Sequence, residues 1–282
     1  MSEISNLCSV GELQQSLTDK NLYLIDGSWY MPSMQRETHT EFNQQHIPGA
    51  SFFDIDLICA PNTELPHMLP TPGQFATAVS AMGIDNDSDL MIYDSAGLFS
   101  AARVWWMFKV FGHRKVRVLH GGLPAWIASA GQLSSDVMRN IATDYEATLQ
   151  PNLLASKDQL IENRETASWQ VLDARASGRF FGTAPEPRPG LSAGHMPNSI
   201  SLPFDELIVD GGLKPKQQLQ EIFAQRGIGE NTPIVTSCGS GVTAAIITLA
   251  LAEAGFGLQR LYDGAWSEWA SSNDTVIIDS DI

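Results

Sequence analysis

The sequence predicts an α/β protein built from two tandem copies of one domain, each a mainly parallel sheet flanked by helices. Three observations predict it. Four local signals recur in the same order in the two halves, short apolar strands alternate with helix-length amphipathic segments, and a cysteine opens a glycine-punctuated loop between a strand and a helix.

The repeat can be followed part by part. A strand ending in aspartate appears as Leu22-Tyr23-Leu24-Ile25-Asp26 and again as Gln170-Val171-Leu172-Asp173. A His-x-Pro turn follows, at His46-Ile47-Pro48-Gly49-Ala50 and at His195-Met196-Pro197-Asn198-Ser199. Then come a strand, a Gly-containing loop and an Ala-rich helix start, Met91 to Ala102 and Ile234 to Ala245. The last strand leads to Gly and Trp, Val118 to Gly122 with Trp126, and Leu261 to Gly264 with Trp266 and Trp269. One match could be chance; four in register, about 140 to 150 residues apart, mark two copies of a domain.

The segments between strands carry helical periodicity. Phe75 to Met82 is one of them, with Gly83 placed to end it. Helical crossovers make neighbouring strands parallel, and ligands in such sheets sit at the carboxyl ends of the strands. The polar, weakly periodic stretch from Leu133 to Pro151 reads as a linker. The expected division is therefore a first, non-catalytic domain at 1–133, a linker at 134–153 and a catalytic domain at 154–282.

Composition narrows the function. A formal charge of −15 disfavours nucleic acid and anionic membranes as partners, since both need a basic face. It also means that an anionic substrate needs a local cationic patch. No apolar run is long enough to span a bilayer, and the first residues lack a basic stretch followed by an apolar one. Three cysteines without a CxxC argue against a disulfide framework or a cysteine zinc site. The reduced cytoplasm is the expected compartment. No metal-ligand cluster, nucleotide fingerprint or P-loop is evident, so no metal and no cofactor are expected.

Cys238 is the candidate nucleophile. It follows the strand-like run Pro233 to Ser237, opens the loop Gly239-Ser240-Gly241-Val242-Thr243 and precedes the helix-like Ala244 to Leu251. That order places its sulfur at the mouth of a ring of backbone N–H groups with a helix N-terminus behind it. Such a ring stabilises an anion and populates a thiolate. Gly239, Gly241, Val242 and Thr243 are the expected binding residues of the loop. In the first copy the aligned residues are Asp94 and Gly97. A carboxylate cannot carry a transferable sulfur, so the first copy is expected to be silent. Cys8 and Cys59 lack this context and are read as structural.

The repeat, the His46-Ile47-Pro48-Gly49-Ala50 turn and Cys238-Gly239-Ser240-Gly241-Val242-Thr243-Ala244 resemble the tandem rhodanese-domain sulfurtransferases. The likeness covers nearly the whole chain, including Pro66-His67-Met68-Leu69-Pro70, Arg103-Val104-Trp105-Trp106, Glu186-Pro187-Arg188-Pro189-Gly190 and Tyr262 to Trp269. It implies that Cys238 takes the sulfur of 3-mercaptopyruvate as a persulfide and releases pyruvate. The sulfur then passes to cyanide, giving thiocyanate, or to thioredoxin or a low-molecular-weight thiol, ending in hydrogen sulfide. Thiosulfate-preferring relatives carry Arg and Lys after the cysteine; here Gly239 and Ser240 are uncharged, which favours a less highly charged donor. The resemblance assigns Arg179 and Arg188 to the donor's carboxylate and keto oxygen, a task suited to planar guanidinium. It also suggests that Ser240 relays a proton with a histidine of the first domain, matching His46. A histidine in that turn can equally be structural. The acidic third member, about eleven residues upstream, falls on Gln35. Three other readings are thiosulfate sulfurtransferase, cysteine phosphatase and sulfur-relay binding protein. The phosphatase reading meets Ala244 where an arginine is required, and the relay reading has to explain an intact cysteine loop.

Overall fold

The computed structural model describes residues 5–229 and 231–279. The chain forms two compact units. Unit 1 runs up to Pro61 and adds Leu69–Gln150 and Ile208–Leu213; unit 2 takes Asn62–Met68, Pro151–Leu207 and the residues from Lys214 onward.

Unit 1 contains β1 (Leu7–Cys8), α1 (Val10–Ser16), β2 (Leu22–Asp26), α2 (Thr38–Gln44), β3 (Ala50–Phe52), α3 (Pro72–Ala81), β4 (Asp89–Tyr93), α4 (Ala101–Val110), β5 (Val116–Leu119) and α5 (Gly122–Ala128). Unit 2 repeats this as β6 (Leu154–Ala155), α6 (Lys157–Thr166), β7 (Gln170–Asp173), α7 (Ser177–Phe180), β8 (Ser199–Ser201), then α8 (Lys216–Gln225), β11 (Ile234–Ser237), α9 (Ala244–Ala254), β12 (Arg260–Tyr262) and α10 (Ala265–Ser271). The short antiparallel pair β9 (Ile208–Val209) and β10 (Gly212–Leu213) lies between β8 and α8 in sequence but belongs to unit 1.

The two large sheets have the same order, β1-β5-β4-β2-β3 and β6-β12-β11-β7-β8, and every pairing in them is parallel. Local sequence explains the starts of the helices. Ser9 with Glu12, Thr71 with Gln74 and Ser156 with Gln159 form capping boxes, which satisfy amides that have no partner within the helix. The central strands β4 and β11 are almost wholly buried, and so are the helices α4 and α9 that follow them. This burial is why α9 reads as a nearly continuous apolar run and not as an amphipathic one. Leu13, Met91, Leu119 and Trp126 share one core, and Val235, Tyr262, Trp266 and Trp269 the other.

The compact units depart from the contiguous division expected at 1–133, 134–153 and 154–282. Residues 134–150 are an extended strap on unit 1. Ser134 exchanges backbone hydrogen bonds with His46, Thr148 and Gln150 donate to Phe111 and Val110, and the buried Tyr145 ring packs on Phe75 and Phe108. Backbone bonds, bonds between its backbone and side chains such as Asn86 and Ser80, and one aromatic hold this strap, so its sequence shows little periodicity. Residues 62–68 pass to unit 2, and the β9–β10 hairpin passes to unit 1, where His120 Nε2 lies 3.0 Å from Leu213 O.

Candidate active site

In unit 2, β11 delivers Cys238 at its carboxyl end and α9 begins six residues later. Gly241 takes φ +77°, a left-handed conformation that a Cβ would strain, and this turns the loop toward the helix. The start of α10 clamps the loop from behind. Trp266 N–H donates to Cys238 O at 2.8 Å, and Ser267 donates to Gly239 O through N–H at 3.0 Å and Oγ at 2.6 Å. Cys238 is only 1% exposed, so the sulfur is not open to solvent as the sequence suggested. Half-buried Gly239 and Thr243 are the parts of the loop that reach the surface.

The matching loop of unit 1 shows what this backbone can hold. Asp94 Oδ2 accepts from the amides of Phe99, Ser100 and Ala101 at 2.7–2.9 Å, and Oδ1 accepts from Ala96 at 2.9 Å. Gly97 has φ +106°, where unit 2 has Gly241. The two loops sit in the same frame, since Leu123 N–H donates to Asp94 O just as Trp266 N–H donates to Cys238 O. A strand–loop–helix of this form therefore collects an anion in a ring of amides.

Cations approach the cysteine loop on its open side. A Cβ built on Gly239 would lie 3.0 Å from Arg179 Nη2 and 3.7 Å from Arg188 Nη1, so both guanidiniums border this glycine. Arg179 is held by Glu186, with Nε 3.1 Å from both carboxylate oxygens. Glu186 also accepts from Arg175 Nη1 at 2.7 Å, and Arg175 forks onto Asp173 with Nε at 3.0 Å and Nη2 at 2.6 Å. Arg175 has no exposed side-chain surface. Burial works against its charge, but Asp173 and Glu186 outweigh that cost and raise its pKa above the usual arginine value. Such a buried network is costly to break at any single member, so it fixes where Glu186 places Arg179.

The histidine beside Ser240 is His67. Its Nδ1 lies 3.3 Å from Ser240 Oγ, both side chains are buried, and its backbone takes φ +58°. His46, the expected interdomain contributor, is fully buried in unit 1. Its Nδ1 lies 2.7 Å from Phe42 O, its Nε2 lies 3.2 Å from Asp136 O, and its ring stacks on Phe42. Both ring nitrogens meet backbone carbonyls of unit 1, contacts that suit the structural one of the two roles the sequence left open for His46. His195 repeats the arrangement on Phe180, with Nδ1 2.9 Å from Phe180 O and the rings stacked.

A family model for the rhodanese-like domain matches residues 9–129 and again 156–272. The chain belongs to the rhodanese family. Among its relatives is "Thiosulfate/3-mercaptopyruvate sulfurtransferase 1, mitochondrial" of Arabidopsis thaliana, 42% identical over 95% of this chain and 77% of the relative. The 3-mercaptopyruvate sulfurtransferase of Escherichia coli K12 is 40% identical over 94% of this chain and 95% of its own. The crystal structure of SseA from Escherichia coli, described as a 3-mercaptopyruvate sulfotransferase, superposes with a TM-score of 0.86 at 36% identity, covering 93% of this chain and 99% of that one. The chain is thus a tandem rhodanese-domain sulfurtransferase, an enzyme that moves sulfur.

Among the described residues of this rhodanese pair, no group of three or more His, Cys, Asp or Glu is placed to hold a metal ion. No helix among them is long and apolar enough to cross a membrane. Spacing in the sequence does not single out Arg175, Glu186 or His67, which the fold places against Arg179 and Ser240. Pro66-His67-Met68-Leu69-Pro70 carried the resemblance, but no spacing argument connects it to Ser240, 173 residues away.

Proposed function

We propose that this enzyme is a 3-mercaptopyruvate sulfurtransferase with Cys238 as its sulfur carrier. The observation that carries the reading is the convergence of Arg179 and Arg188 on Gly239, beside an uncharged Gly239-Ser240 pair. Two guanidiniums can grip a carboxylate and a keto oxygen through paired hydrogen bonds. Arg and Lys at positions 239 and 240 would add charge suited to a sulfonate-type donor.

In the first half-reaction the Cys238 thiolate attacks the thiol sulfur of the bound donor. The S–S bond forms and the donor's C–S bond breaks, its electron pair leaving on pyruvate enolate, which then takes a proton. The loop amides of Gly239, Ser240, Gly241, Val242 and Thr243 stabilise negative charge on the sulfur, as Asp94 is stabilised in unit 1. Ser240, supported by His67, handles the proton near the donor thiol. In the second half-reaction cyanide or a thiol, thioredoxin among them, attacks the outer sulfur and frees Cys238. The covalent intermediate requires ping-pong kinetics. With Cys238 at 1% exposure, donor entry also requires movement around Gly239 and Thr243.

Thiosulfate is the second donor to consider, because the Arabidopsis relative's name includes it. The same relative is named mitochondrial, so compartment does not travel with the fold; three cysteines without a CxxC suit a reducing compartment such as the cytoplasm. The deciding experiment presents 3-mercaptopyruvate and thiosulfate side by side, with mass spectrometry of the protein after each. One added sulfur on Cys238 and a clear preference for 3-mercaptopyruvate are expected. A preference for thiosulfate would overturn the donor assignment, and turnover without added sulfur would overturn the carrier.

A further inference from the structure

Unit 1 holds a cavity of about 200 Å3 at the carboxyl end of β2, bordered by Asp26, Ser28, Glu41, Gln45, Ser95 and Leu123. Matching contacts identify the counterparts of these residues in unit 2. Ser28 N–H donates to Asp26 Oδ1 at 2.9 Å and Arg175 N–H donates to Asp173 Oδ1 at 3.0 Å, so Ser28 stands where Arg175 does. Leu123 and Trp266 donate to equivalent loop carbonyls, so Leu123 stands where Trp266 does. Phe42 and Phe180 stack on equivalent histidines and accept from them, so Glu41 stands where Arg179 does and Gln45 where Gly194 does.

In unit 2 the Arg175 side chain fills this ground. Its guanidinium forks onto Asp173, donates to Gly194 O at 2.8 Å and lies 4.0 Å over the Trp266 ring. Unit 1 keeps the carboxylate, Asp26, at 2% exposure, but has serine in place of the arginine and leucine in place of the indole. The cavity is what those two truncations leave. Among the described residues no ion pair reaches Asp26, whose Oδ1 accepts from Ser28 N–H and Oγ. Arg36, at the cavity's edge, is committed to Glu41 through Nε at 2.7 Å and to the face of Tyr30 at 3.7 Å.

We propose that the unit 1 cavity binds a small alkylguanidinium compound, its planar cation forked onto Asp26 as Arg175 is onto Asp173. The Ser28 and Ser95 hydroxyls, 3.0 Å apart, and the Gln45 amide supply further polar contacts. Leu123, Pro124 and Ile127 offer an apolar wall to the alkyl stem. Glu41 stands where Arg179 brings a cation in unit 2, and Arg36 cancels it, so Asp26 is the charge left to select a cation. Burial raises the Asp26 carboxyl to about 6, Ser28 opposing and Asp94 adding to the rise, with a smaller opposing bond from Tyr93. The other charged groups at the cavity, Arg36 and Glu41, neutralise one another, and Asp94 is held by its four amides. The proton and the guanidinium therefore compete for Asp26.

The test titrates the full-length protein with methylguanidinium, agmatine, a length-matched alkylamine and an arginine-containing tripeptide by calorimetry at low salt and pH 7.5. Agmatine is expected to bind with a Kd of roughly 1 mM or below, more tightly than the alkylamine, which cannot fork. Below pH 6 the affinity should fall by about tenfold per unit as Asp26 takes its proton. D26N should weaken binding by about tenfold or more. S28R, which rebuilds the unit 2 arrangement, should abolish binding and raise Tm. Absence of agmatine binding, unchanged affinity in folded D26N, or retained binding in S28R would each overturn the proposal. Binding of the tripeptide with agmatine inert would overturn it too, in favour of an arginine on another protein.

Discussion

The loops at Asp94 and Cys238 share a frame and differ in what they hold. Asp94 spends its carboxylate on four amides of its own loop and needs nothing else. Cys238 has a sulfur in that position and two guanidiniums beside the next residue. The guanidiniums depend on an insertion. Phe42 and His46 are four residues apart, whereas Phe180 and His195 are fifteen apart, and the extra segment carries Glu186 and Arg188. The ring around Asp94 shows what the fold supplies by itself; the site proposed in unit 2 adds a thiol and an inserted loop that brings Arg188 and anchors Arg179 through Glu186.

The largest expected effect tests whether the ring suffices. C238S should remove the persulfide by mass spectrometry and lower sulfur transfer by at least about 1000-fold. Adding D94C to C238S should restore nothing, because unit 1 has Glu41 where unit 2 has Arg179. Recovered turnover with 3-mercaptopyruvate would break the comparison.

The paired aspartates come next. D173N leaves the Arg175 guanidinium buried with less compensation and should cost about 3–5 kcal/mol in denaturant melts. D26N should do the opposite, because the Asp26 carboxyl is raised to about 6, against about 4 in the unfolded chain. The stability that the folded protein draws from holding this proton is complete below about pH 4 and is lost as pH rises through 6. Asparagine cannot ionise, so the variant's advantage should open between those values and reach on the order of 2 kcal/mol at pH 7. Equal melts at pH 4 and pH 7.5 would mean that Asp26 is as well compensated as Asp173.

R188K keeps the charge but loses the fork, and should raise KM for 3-mercaptopyruvate by about 10-fold or more with circular dichroism unchanged. An unaltered KM would remove Arg188 from the donor site. The smallest difference separates the two histidines. H67Q should lower turnover by about 10-fold with little change in Tm. H46Q should cost about 1–3 kcal/mol of stability and leave turnover per folded molecule unchanged. The reverse pattern would return His46 to the site.

Local features are legible in the sequence alone. The strand ending at Asp26 recurs as the strand ending at Asp173, and both register as parallel to their neighbours. Gly83 takes φ +77° just beyond α3, as a helix-ending glycine should. Contacts between residues distant in sequence are not legible in this way. The His46 turn repeats in the sequence, and what repeats in space is a tie to the backbone, with His195 making the same bond to Phe180 that His46 makes to Phe42. His67 stands in no repeat, but counting eleven residues upstream from it reaches Asp56, a carboxylate, where counting from His46 reaches Gln35.

The linear order of residues was enough to establish two copies of a parallel α/β domain, a thiol in one glycine loop and a carboxylate in the other. These follow from hydrophobic period, turn chemistry and self-similarity, all of which act over a few residues or repeat along the chain. Tertiary structure decided that Glu186 links Arg175 to Arg179, that His67 meets Ser240, that the Cys238 sulfur is enclosed, and that exchanging Arg175 and Trp266 for Ser28 and Leu123 leaves a cavity. Burial and the pairing of charges depend on neighbours that the chain brings together from a distance, and neither period nor spacing encodes which neighbours those are.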